Sequence, residues 1–399
     1  MLKRIVSEVM LTLLFIGMLT LAFGIQPARA SGTIYIRADG SVEGTDKIQQ
    51  DGDIYIFTDN IYDEIVVERS NIVIDGNGYT LHGPYEIAIG TGFRLWNVNN
   101  VTIRNVTITG FYDGISLYES SYNIISGNNI TENTGHGVEL IDSHDNLVSG
   151  NSITECTSPH AHAAVSLGRS FYNIILGNNI TNNDWDCVWL GSSSHNTITG
   201  NNMTNNARGI YLYQSYYNTI TANEISDNAP GCGIRFELSS KNSVSGNNIT
   251  NSVCGIALLE SSDNTISGNN IAKNRQAGIY LSKSSDNTIY GNNVTNTYGK
   301  GMYIERASDN FIYHNNFVNN TNQVYIYTSD SVNVWNNSYP SGGNYWSDYT
   351  GIDLYSGPYQ NETGSDGIGD TPYVIDENNQ DNYPLMNHWT PTPQGLKQQ

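Results

Sequence analysis

The chain has 399 residues, with 18 Lys and Arg against 38 Asp and Glu, for a formal net charge of −20. A surface of that sign repels nucleic acid, and polyanionic glycans too unless metal ions intervene; it suits neutral sugars, cations or plain solubility. The 27 tyrosines and a regular supply of Ile, Val and Leu can bury a core, so this is not a disordered acidic chain.

Residues 1–30 read as a secretory signal. Lys3 and Arg4 form a basic start, Met10 to Phe23 an apolar run, and Ala28-Arg29-Ala30 the small residues for cleavage after Ala30. No later segment approaches the ~18–20 apolar residues that cross a bilayer, so no integral membrane segment is expected after signal removal. The expected location is secreted, extracellular or at the cell surface. Four cysteines in such a setting permit disulfides.

Residues 31–70 are assigned to an N-terminal cap. A phrase of the form N-x-I-x-G-N-N-I-T-x-N-x-x-G-I-x-L-x-x-S-S-x then recurs from Asn100, Asn123, Asn146, Asn173, Asn196, Asn218, Asn242, Asn264, Asn287 and Asn310. Each unit holds three short alternating stretches separated by Gly, Asn and Ser, which suits strands and turns. One such unit cannot bury its apolar face, whereas stacked units can. The expected fold is all-β: a single-stranded right-handed parallel β-helix (solenoid) of about eleven coils over residues 71–339, each coil adding ~4.8 Å. The Ile of N-x-I, the Ile of N-N-I, and the Ile and Leu of G-I-x-L should point inward. Gly114, Gly137, Gly209, Gly233, Gly255, Gly278 and Gly301 mark one bend, where the missing Cβ helps. Asn128, Asn178, Asn247, Asn269 and Asn292 should stack as an amide ladder at another. Residues 340–399 are assigned to a C-terminal cap and tail.

These repeats resemble those of NosD-like proteins, within the broad group of carbohydrate-binding and sugar-hydrolase β-helix domains. The ending GGNYWSDYTGIDLYSGPYQNETGSDGIGDTPYVIDENNQDNYPLM is similar to the terminal segment of archaeal NosD-like surface proteins. The likeness covers nearly the whole chain after residue 30. It implies the fold, and it leaves activity open, because the group holds binders, enzymes and a protein named for copper handling.

Function should lie on outward residues. On the G-I-x-L strand the first outward column includes Glu139, Trp189, Tyr211, Arg235, Tyr280, Tyr303 and Tyr325. Rings in register form a platform for the apolar faces of sugars, and they also stabilise a sheet without any ligand. Just before the bend stand His136, Ala163, Asp186 and Arg208 in successive coils. A glycan-binding face is therefore expected on His136, Glu139, His160, His162, Asp186, Trp189, Arg208, Tyr211, Arg235, Tyr280, Tyr303 and Tyr325.

Other readings stand beside it. A polysaccharide hydrolase or lyase would draw its acids and bases from Glu139, Asp184 and Asp186, with Arg208 or Arg235 neutralising charge. A copper or zinc site would use Cys156, His160 and His162, which fall within the one enlarged coil. Calcium could sit on Asp366 and Asp370 in the loop NETGSDGIGD, where Glu362 and Gly364 replace the expected ligands. A structural surface protein without ligand is the remaining alternative. Cys232 and Cys254 both directly precede the bend glycine in adjacent coils, a spacing of ~5 Å that fits a disulfide. Cys156 with Cys187 is a second candidate pair.

Overall fold

The computed structural model describes residues 32–83, 90–157 and 163–391. The chain divides into a unit Met1–Thr33 and a unit Ile34–Gln399, and the fold below is that of the second. Residues 1–30, read from the sequence as a secretory signal, and the loop carrying His160 and His162 lie outside the described residues.

Every described strand is short, and most pair in parallel with the strand one repeat away. Three long sheets result, of 14, 12 and 13 strands. Each full coil gives one strand to each. The coil after Asn123 contributes Ile124–Ser126, then Asn129–Thr131, then Val138–Ile141. This is a parallel β-solenoid of about eleven turns. The expected inward columns are inside: Ile115, Leu117, Ile125 and Ile130 are fully buried.

Buried asparagines satisfy the corners. Asn201 donates through Nδ2 to the carbonyls of Ile175 and Thr199 and to Asn223 Oδ1, at 2.9–3.0 Å. Its own Oδ1 accepts the backbone N–H and the side-chain amide of Asn178. The pattern repeats along two ladders, one through Asn123, Asn146 and Asn173, the other through Asn128, Asn151 and Asn178. Corner amides that no strand can reach are thereby paired in a buried interior.

One sequence expectation needs correction. The register pairs Ile124 with Thr102, which sets Asn123 against Val101 rather than Asn100. The ladders thus end in an apolar plug: Val98, Val101, Val106 and Phe111 give their N–H groups to Ser120, Asn123, Asn128 and Asn133, and have no side-chain amide to pass on. At the bend glycines the missing Cβ is required for space, as the repeat suggested. A Cβ on Gly209 would stand 2.1 Å from the Gly233 carbonyl oxygen. The left-handed positions lie elsewhere, at Gly200 (φ 64°) and its equivalents.

At the far end Asn379 accepts the N–H of Asn333, and Asp381 accepts those of Asn344 and Trp346. Two small antiparallel pairs, Tyr355–Ser356 with Glu362–Thr363 and Tyr373–Val374 with Gln380–Asp381, complete this segment.

Candidate functional site

The 14-stranded sheet carries the outward column in unbroken register, through Ser116, Glu139, Ser166, Trp189, Tyr211, Arg235, Ala257, Tyr280, Tyr303 and Tyr325. Within it one cleft of about 500 Å³ is lined by His136, Glu139, Ile141, Ala163, Ser166, Gly168, Arg169, Asp186, Trp189, Arg208 and Tyr211. The next outward column holds glycines here, and this shapes the cleft. The Trp189 indole lies over Gly191, where an added Cβ would meet the ring carbons. A larger residue would have lifted the ring off the sheet.

Asp186 forms the polar floor. It is buried, and Arg208 Nε lies 2.7 Å from its Oδ1. That contact is charge against charge without hydrogen-bond geometry, so Oδ1 has no hydrogen-bond donor. Burial lifts the Asp186 carboxyl to about 6, while Arg208 and Arg235 pull the other way. Arg208 also sits 5.5 Å from the Trp185 ring centroid and 5.6 Å from that of Tyr211. On the other side Arg235 lies 5.6 Å from the Tyr211 ring and bonds Glu237, which accepts the Tyr211 hydroxyl at 3.0 Å. Tyr211 is thus fixed from three directions.

Across the cleft His136 Nε2 lies 3.7 Å from Glu139 Oε1, and Ser116 donates to Glu139 Oε2 at 3.2 Å. The His136 N–H donates to Asp113, whose buried carboxyl is pushed up to about 6 by desolvation. Asp113, Trp185 and Glu237 were not singled out from the sequence. Asp113 precedes His136 in the same column one coil earlier, so extending that column back would have found it.

The structure therefore gathers His136, Glu139, Asp186, Trp189, Arg208 and Tyr211. Asp184 and Arg235 line an adjoining hollow of about 570 Å³, and Tyr280 and Tyr303 one of about 450 Å³. Tyr303 stacks on Tyr280 at 5.1 Å and on Tyr325 at 5.6 Å.

The cysteines divide. Cys232 and Cys254 form a disulfide across adjacent coils, with Cα atoms 4.5 Å apart. Cys156 and Cys187 do not pair, contrary to the second sequence expectation; both are buried thiols. The N–H of Cys156 bonds Asn183 Oδ1, so Cys156 fills a ladder position, whereas Cys187 fills a bend-glycine position opposite Gly209. Different columns keep them apart.

Burial pushes the Cys156 thiol up to about 12, which opposes the thiolate a copper or zinc ion requires. Met203 and Met302 are core residues. Among the described residues no group of three or more His, Cys, Asp and Glu is arranged to hold a metal. Asp370 accepts the N–H groups of Leu354 and Tyr355, and Asp366 those of Ile368 and the Gln360 amide. Both carboxylates thus staple a loop in this structure. The described residues do not fit a copper centre.

The fold and the cleft define a parallel β-helix protein with a lateral groove on one sheet. The model of the NosD family, described as periplasmic copper-binding protein (NosD), matches residues 31–208 and 186–351. The chain belongs to that family. Sequence comparison with curated proteins finds no match. Among solved structures it is similar to a double mutant of the periplasmic alginate epimerase AlgG, with a TM-score of 0.52, 14% identity, and coverage of 77% of this chain and 82% of that one. The A-module of the mannuronan C-5 epimerase AlgE4 from Azotobacter vinelandii gives 0.51, 13%, 76% and 89%. The Dettilon tailspike protein gives 0.50 and 16%, with this chain covered over 71% and the tailspike over 62%. At these identities the likeness is one of fold. Among the described residues no helix is long and apolar enough to cross a membrane.

Proposed function

We propose that this is an exported protein that binds a polysaccharide or cell-surface glycan in the cleft of the 14-stranded sheet. The observation that carries the reading is the Trp189 indole laid flat on its glycine shelf beside Tyr211, with Asp186, Arg208, His136 and Glu139 around it. Such a wall presents apolar faces to sugar C–H groups and polar groups to hydroxyls. The epimerases of similar fold act on polysaccharides by their names, which agrees with the reading.

Affinity electrophoresis on a panel of neutral and acidic polysaccharides tests it. Retardation by at least one glycan is expected, with its apparent affinity reduced at least tenfold in Trp189→Ala and in Tyr211→Ala. Unchanged retardation in both variants would move the ligand elsewhere. A second reading, cleavage of that glycan, is favoured by the buried Asp186 oxygen that faces the cleft without a hydrogen-bond donor. Release of oligosaccharides, abolished in Asp186→Asn, would add it.

A further inference from the structure

The three hollows on the 14-stranded sheet are not separate. Arg208 lines the first and second, and Cys254, Gln276 and Tyr280 line the second and third. They adjoin as one groove along the solenoid from His136 to Tyr303. Seven coil steps at ~4.8 Å make it ~34 Å long, room for several pyranose rings in line.

The charge along this groove differs from that of the molecule. In a chain with 38 carboxylates nine of the fourteen described cations are in ion pairs, as Arg169 is with Asp142, Arg208 with Asp186, Arg235 with Glu237 and Lys283 with Glu260, while Lys241, Lys273 and Arg306 stand unpaired away from the hollows. Arg275 and Lys300 make no ion pair among the described residues, yet both line the third hollow together with Tyr280 and Tyr303. No carboxylate lines it. The nearby Glu305 is occupied by the Tyr280 hydroxyl at 3.0 Å. Lys300 Nζ is held over the rings of Tyr303 and Tyr325, at 5.8 and 5.5 Å, rather than by an acid. Two free cations beside stacked rings suit a sugar that offers both an apolar face and a carboxylate.

We propose that this hollow is the subsite for an anionic sugar residue, a uronate, of a polymer lying along the groove. The inference rests on the saccharide-binding reading and names its substrate class. The net charge of −20 does not forbid it, because screening confines surface charges to about 8–10 Å, and within that range of the subsite Arg275 and Lys300 line the wall.

The test is calorimetric titration of the purified protein with hexamers of glucuronate, galacturonate, mannuronate and guluronate. Each hexamer is paired with its carboxyl-reduced, neutral counterpart of the same linkage. At least one acid hexamer should bind ten times more tightly than its neutral partner, an advantage that shrinks as NaCl rises from 50 to 300 mM. Arg275→Gln and Lys300→Gln, both at the surface of the groove, should each weaken acid binding about tenfold and weaken neutral binding much less, so that the acid-over-neutral preference falls. Equal binding of acid and neutral forms, or neutral binding alone, would overturn the uronate subsite and leave saccharide binding standing. No binding of any hexamer, acid or neutral, would overturn both.

Discussion

Asn201 holds three acceptors and two donors in a buried corner, so its loss should be felt well beyond one hydrogen bond. Asn201→Ala strands the Asn178 N–H and the Ile175 carbonyl and should cost roughly 3 kcal/mol, read as a lower urea midpoint. A cost below about 1 kcal/mol would mean that water replaces the amide. Asp186 behaves differently, because its carboxyl is lifted from 3.8 to about 6. A folded pKa above the unfolded one means that the folded state binds the proton better. The contribution of Asp186 is therefore full below about 4 and is lost as pH rises through about 6. Asp113 and Asp381 are raised to about 6 as well and add to the same slope. Denaturation midpoints measured at pH 4.5 and 7 should fall in the parent, and fall less in Asp186→Asn. An unchanged slope in the variant would show that Asp186 does not titrate in that window. Asp186 was legible as a site candidate from its column, but its burial was not, since the pattern of letters does not say which side chains cover a position or that Arg208 reaches it.

At the scale of the strand, register decides the chemistry. Cys232 and Cys254 meet because neighbouring coils set equivalent positions side by side, and the same rule separates Cys156 from Cys187. The bridge closes a loop of 22 residues and should contribute about 3 kcal/mol by the loop-entropy relation. The double variant Cys232→Ser, Cys254→Ser should melt lower, and thiol labelling of the oxidised parent should find two reactive groups only after unfolding. Four labelled thiols without reductant would contradict the bridge. The repeat phrase predicted this pair. It misjudged the second because the enlarged coil obscures which position Cys156 occupies, and only the hydrogen bond to Asn183 identifies it as a ladder residue. The first coil was misread by one residue for a related reason: Asn100 looks like the start of a repeat, yet it lies in the left-handed position that Tyr122 takes one coil later.

Over the whole molecule, the sequence by itself determined the solenoid, its inward columns, its amide ladders and the in-register outward face. Those follow from a repeat near 23 residues, because identical coils can only bury their apolar sides against one another. Tertiary structure decided what a one-dimensional alignment cannot hold. It laid Trp189 on Gly191, placed Arg235 and Arg208 on two sides of Tyr211, and joined three hollows into one groove. It also left Arg275 and Lys300 without acid partners in a chain rich in carboxylates. Columns fix which residues are neighbours; the reach and packing of side chains across columns fix which of them meet, and that depends on distances in three dimensions.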